Sequence, residues 1–210
     1  MVTASMTCLI RRTLIGAVAF APLAALAQSP PASPTGPVAS IEALHTALLD
    51  IMRNAERLGV KGREQRIRPV MLQIFNLPAM ARIACGRPWN DFTPAQQQAV
   101  AQAFTDWSTA TYASRFDGFG GESFATDGES TLANGDQLVR TRINRPNDSP
   151  VALNYLLRQA EGRFRVVDVY LTGTISELAS RRAEFSNILR DGGPDRLVSE
   201  LRGRTEQMLK

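Results

Sequence analysis

The hydrophobic period of this chain changes twice along its length, and that change decides which folds are open to it. Ile41, Leu44, Leu48, Ile51, Ala55 and Leu58 recur at helical spacing, which predicts an amphipathic helix over 38–58 ending at Gly59. A second helix is expected over 63–76, with Ile67, Val70, Met71, Ile74 and Phe75 on one broad face. Pro69 falls in its first two turns, where proline kinks or delays a helix. A short helix follows near 78–85. Thr93-Pro94-Ala95-Gln96 then gives the clearest start signal, with a capping threonine, a proline at the first helical position and a glutamine to complete a capping box. That helix runs to about 115, with Val100, Phe104, Trp107 and Thr111 on one face.

Past residue 120 the period shortens to two. Asp136 to Asn144, Pro150 to Gln159 and Arg163 to Thr172 are expected strands, with a weaker one near 121–128. Asn134-Gly135 and Glu161-Gly162 are the turn dipeptides of an antiparallel meander. Val151, Leu153, Tyr155 and Leu157 form one unbroken apolar face, while Phe164 to Leu171 is apolar on both faces, as a central strand is. Helix returns after Thr174, where Thr174 and Glu177 have capping-box spacing. Gly192-Gly193 stops it, and Pro194 opens a last helix to about 209. Helices, strands and helices again, without strand–helix alternation, give an α+β fold. The N-terminal amphipathic helices pack on a four-stranded antiparallel sheet, closed by two C-terminal helices, as one domain over 38–210.

Residues 1–27 carry the parts of a secretory signal: Arg11 and Arg12, the apolar stretch Thr13 to Leu26, and the small–x–small site Ala25-Leu26-Ala27. Cleavage after Ala27 is expected, with export by the general or the twin-arginine route. The apolar run of 14 residues contains Pro22 and is shorter than the roughly 20 needed to span a bilayer. Ser29 to Pro37 is rich in proline and serine, which makes 28–37 a disordered leader. Without Arg11 and Arg12 the formal charge falls from +4 to 22 basic against 20 acidic residues, too balanced to argue for nucleic acid. A monomer is expected.

Residues suited to catalysis are sparse. His45 is the single histidine and Cys85 the single cysteine beyond the signal, so no zinc site of nitrogen and sulfur ligands and no intramolecular disulfide can be assembled there. His45 is expected on the surface of its helix, and Cys85 as a small buried apolar group. Gly118-Phe119-Gly120-Gly121 lacks the lysine of a phosphate-binding loop and fits a helix-to-strand connection with positive φ. Asp168 interrupts an apolar strand; it is either a general base or, as we expect, a structural acceptor for a backbone turn or an arginine. Arg181-Arg182 is either a basic patch at a pocket mouth or a solvated face. What is abundant is large apolar side chains on elements that must face each other: Phe75, Phe104 and Trp107 on helices, and Leu153, Tyr155 and Val169 on strands. They fill a core or surround a cavity, and periodicity does not distinguish the two.

Three segments together resemble a known family. They are Phe92-Thr93-Pro94-Ala95-Gln96-Gln97 with Phe104 and Tyr112 following; Phe164-Arg165-Val166-Val167-Asp168-Val169 running into Gly173-Thr174-Ile175-Ser176; and Arg182-Ala183-Glu184-Phe185-Ser186-Asn187-Ile188-Leu189-Arg190 with Gly192-Gly193, Leu197 and Leu201. In order and spacing, over roughly residues 40–208, the chain is similar to the MlaC family of periplasmic lipid-binding proteins, the shuttles of toluene-tolerance and outer-membrane lipid-asymmetry systems. The run Arg115 to Phe124 is more like its HpnM branch, associated with hopanoid synthesis. The resemblance implies a carrier without catalytic groups or cofactor, whose cargo is a phospholipid or a hopanoid. It implies as partners an inner-membrane ABC transporter with a lipid-binding periplasmic domain and an outer-membrane lipoprotein complex. On this view Val70, Ile74, Phe104 and Trp107 from the helices, and Val151, Leu153, Tyr155, Leu157, Val167 and Val169 from the strands, bind lipid. Other readings, a secreted hydrolase or an adaptor with a filled core, stay open on the residues alone.

Overall fold

The computed structural model describes residues 36–210; the expected signal segment and leader residues 28–35 lie outside them. Helix α1 (Pro37–Arg53) places Ile41, Leu44, Leu48 and Ile51 on one fully buried stripe. It ends earlier than its apolar pattern suggests. The Asn54 side chain donates to the Asp50 carbonyl at 2.8 Å, a local bond that competes with continuing the helix. Helix α2 (Ala55–Ile74) follows directly and is broken at Gly59, whose φ of 60° suits glycine alone. Ala55 and Leu58 therefore belong to α2, and the expected single helix over 38–58 joins two pieces. Pro69 sits inside α2 with no break of its own. Both it and Gln65, whose carbonyl loses a donor, face solvent.

Asn76 caps α3 (Leu77–Cys85), accepting from the Ala79 amide at 3.2 Å. A short 3-10 helix (Arg87–Asp91) leads into α4 (Pro94–Arg115). Both bonds of the expected capping box form there: the Gln96 amide donates to Thr93 Oγ1 at 3.3 Å, and the Thr93 amide donates to Gln96 Oε1 at 3.1 Å.

The sheet is an antiparallel meander in chain order, β1 (Ser123–Thr131), β2 (Gln137–Arg145), β3 (Asp148–Ala160), β4 (Arg163–Leu171) and β5 (Ile175–Ser176). The four long strands correspond to the four expected, and β5 is an addition of two residues. Glu161 and Gly162 have φ of 53° and 74°, the paired left-handed values of a type I′ hairpin turn. Strand β3 starts two residues before the expected Pro150, because the Arg145–Asp148 pair closes its hairpin. The Thr174–Glu177 capping box is replaced. Thr172 and Gly173 turn at positive φ and return the chain to the sheet as β5, so Ser176 caps α5 (Glu177–Met208) by accepting from the Ala179 amide at 2.9 Å. A break at Gly193 (φ 66°), followed by Pro194, divides α5 into the two expected C-terminal helices.

The helices cover one face of the sheet, on which Val139, Thr141, Tyr155, Leu157, Val166 and Val169 are buried. The end of α2 is tied to the sheet where the Asn76 amide donates to the Val166 carbonyl at 2.9 Å. Among the described residues no helix is long and apolar enough to cross a membrane.

Candidate functional site

Helices and sheet do not close completely. Between them lies a cavity of about 240 Å³. Its longest wall is one face of α4, where Phe104, Trp107, Ser108, Thr111, Tyr112 and Arg115 follow the helical repeat. From Phe104 to Arg115 that face runs about 16 Å at 1.5 Å per residue. The sheet wall is built from two cross-strand pairs, Leu153 opposite Leu171 and Tyr155 opposite Val169. Met71 and Phe75 from the end of α2, with Leu77 and Met80 from α3, complete the helical lining, and the Phe75 ring meets that of Tyr112 edge-on with centroids 5.6 Å apart. Helix α5 contributes Glu177, Leu178 and Arg181. It is held against α4 by Phe185, whose ring centroid lies 6.3 Å from that of Phe104 and 6.2 Å from that of Trp107.

Five of the expected residues line this space: Phe104, Trp107, Leu153, Tyr155 and Val169. Five do not. Ile74 and Leu157 are buried in solid core, and Val70 is half-buried against it. Val151 is half-buried opposite Ile143, one inward-facing position beyond Leu153. Val167 is buried at a bulge: Leu156 pairs with Asp168 and Leu157 with Val166, so Val167 has no partner and the alternation of β4 shifts there. Tyr112 and Arg115, which complete the α4 face, escaped the sequence reading. Their signal was the continuation of the Phe104–Trp107–Thr111 spacing by one more turn.

His45 is not on the surface. It is 5% exposed, stacked on Phe124 with ring centroids 4.1 Å apart, and its Nε2 is 3.4 Å from the Tyr155 hydroxyl. The face of α1 that carries Leu44 and Leu48 is wide enough to turn His45 toward the sheet as well. Burial without a counter-charge lowers its pKa from 6.5 to about 4, so at neutral pH it is an uncharged imidazole. The same desolvation holds the phenols of Tyr155 and Tyr112 above their ordinary value. It also pushes the buried Cys85 thiol up to about 12, which keeps it protonated and unreactive.

Asp168 has the geometry of a structural acceptor. Its Oδ1 accepts from the Val169 amide at 2.8 Å and the Leu178 amide at 3.2 Å, and its Oδ2 from Ser176 Oγ at 2.6 Å. It thereby ties the first turn of α5 to β4. The two arginines of the Arg181-Arg182 pair part company. Arg182 donates to the Ile83 carbonyl, while the Arg181 guanidinium lies 4.6 Å from the centroid of Trp107, on the cavity wall. Gly121, with φ of 104°, makes the turn between α4 and β1. Among the described residues no three His, Cys, Asp or Glu side chains gather as metal ligands would.

A one-sided sheet roofed by helices, with an apolar cavity beside its packed core and charged groups on the rim, describes a class of small binding domains. The chain belongs to one family of that class: it matches the family described as MlaC protein over residues 42–203. Among solved structures, its fold is similar to that of a phospholipid-binding protein from Ralstonia solanacearum, determined in complex with a phospholipid. The TM-score is 0.68 at 24% identity, over 85% of this chain and all of that one.

Proposed function

We propose that this protein is a periplasmic lipid carrier, which holds the acyl chains of a phospholipid in the cavity between α4, α5 and the sheet and passes them between membranes. The observation that carries this reading is the hollow itself. A filled core would seal the facing pairs Leu153–Leu171 and Tyr155–Val169 against α4, and here a space remains between them. Each methylene moved from water into such a space gains about 0.8 kcal/mol, enough in sum to compete with a bilayer. Membership of the MlaC family and the phospholipid bound in the Ralstonia solanacearum relative support the same cargo.

At about 240 Å³ the cavity falls below the roughly 300–1,000 Å³ of ordinary ligand sites, so loading requires the helices to move outward from the sheet. The carrier acts as a monomer in a single domain over 38–210, after removal of a signal ending at Ala27. It exchanges cargo with an inner-membrane ABC transporter and an outer-membrane lipoprotein complex, and performs no chemistry on the lipid. Mass spectrometry of the protein purified from cells tests the reading. One phospholipid per molecule is expected; a protein that carries none contradicts it, and a hopanoid in its place corrects the cargo.

A further inference from the structure

The rim of the cavity carries more positive charge than it can pair. Glu177 Oε1 is shared between two arginines, 2.5 Å from Arg181 Nη2 and 3.9 Å from Arg115 Nη2. Arg181 Nη1 also lies 3.3 Å from Glu184 Oε2, but Glu184 is in turn bonded by Arg204. Three guanidinium groups thus meet two carboxylates. One hydrogen-bond donor is also left over: Arg181 Nε is buried and has no acceptor among the described residues. A buried N–H without a partner is a group that a ligand oxygen can satisfy. The Arg181 guanidinium lies over the Trp107 ring, 4.6 Å from its centroid, which keeps it at the cavity wall.

We propose that Arg115 and Arg181 form a seat for a phosphodiester, and that Glu177 occupies this seat while the cavity is empty. This rests on the lipid-carrier reading and adds to it a chemical preference: a lipid bearing phosphate over a neutral lipid with the same tails. A phosphate displaces the Glu177 carboxylate and takes both guanidiniums, whose planar forks match its oxygens in pairs. The three arginines outnumber the two carboxylates of the cluster, so its net positive charge favours an anion at this rim. Glu177, on the first turn of α5, and Arg115, on the last turn of α4, link the two helices at the rim of the cavity. The exchange of carboxylate for phosphate therefore releases the link between them as cargo arrives.

The test is uptake by delipidated protein from neutral vesicles doped with either phosphatidylglycerol or diacylglycerol of identical acyl chains. The expected preference for phosphatidylglycerol is about tenfold or more, falling severalfold in Arg115→Gln and rising in Glu177→Gln, where the arginines are freed. Arg115 is exposed at a helix end, so its variant should fold; Arg181→Lys, which keeps the charge but loses the fork, is the second probe and should lower the preference too. Equal uptake of the two lipids, or a preference that survives both arginine substitutions in folded protein, overturns the seat while leaving lipid carriage intact. Uptake of neither lipid overturns carriage and the seat together. Displacement of bound phosphatidylglycerol by a millimolar excess of inorganic phosphate would reveal a free-anion site and also overturn the proposal.

Discussion

Tyr155 and His45, 110 positions apart in the chain, meet across the layer between sheet and α1, hydroxyl to Nε2 at 3.4 Å. Since the folded-state pKa of His45 is depressed from 6.5 to about 4, the unfolded chain binds the extra proton first as pH falls. The stability that this histidine supplies is complete above pH 6.5 and is lost progressively down to about pH 4, a change on the order of 3 kcal/mol. Thermal midpoints measured between pH 7 and pH 4 should fall, and His45→Gln should flatten that dependence. An unchanged slope in the variant would place the acid sensitivity elsewhere.

Asp168 accepts three hydrogen bonds, and two of them, from Ser176 Oγ and the Leu178 amide, tie β4 to the start of α5. Asp168→Asn keeps an oxygen for the two amides, so lipid occupancy should stay within a factor of about three. Asp168→Ala leaves the buried Leu178 without its acceptor, at a cost of about 1–3 kcal/mol. Denaturant titration of both variants checks the order. A folded Asp168→Asn protein that has lost all lipid transfer would make the carboxylate functional after all.

Leu153 and Leu157 lie on one face of β3 but in different surroundings: Leu153 borders the cavity, while Leu157 is fully buried in solid core. Leu157→Trp should overpack and cost about 1–3 kcal/mol. Leu153→Trp should cost less, because the indole enters empty space, and should lower bound lipid. Midpoint and lipid stoichiometry are the paired readings. A large loss of stability in Leu153→Trp with unchanged stoichiometry would remove that residue from the lipid site.

The layer order, the α4 capping box and the Glu161-Gly162 turn were legible in the sequence because each is set by residues close together in the chain. The misplacements share the opposite cause. The apolar stripe of α1 runs on through Ala55 and Leu58, so nothing in the period marks Asn54 as the stop. Strand β5 has two residues, too few to show a period, and it moved the helix start to Ser176. The bulge beside Leu157 shifted the facing of β4 and took Val167 off the cavity wall. His45 was misassigned because its partner, Tyr155, is on a distant strand. Hollow and filled centres carry the same hydrophobic pattern; only the fit of α2, α3, α4 and α5 on the sheet separates them.

The most direct test of the account asks where the end of an acyl chain lies. A phospholipid with a diazirine at the tip of one tail, loaded into the protein and activated by light, will mark the residues that surround that tip. Mass spectrometry of the digested protein should find the label on the apolar cavity wall, on residues such as Phe75, Met80 or Phe104. Label confined to exposed apolar residues such as Leu72, Leu132 and Ile175, with none on the cavity wall, would contradict the claim that this hollow carries the lipid.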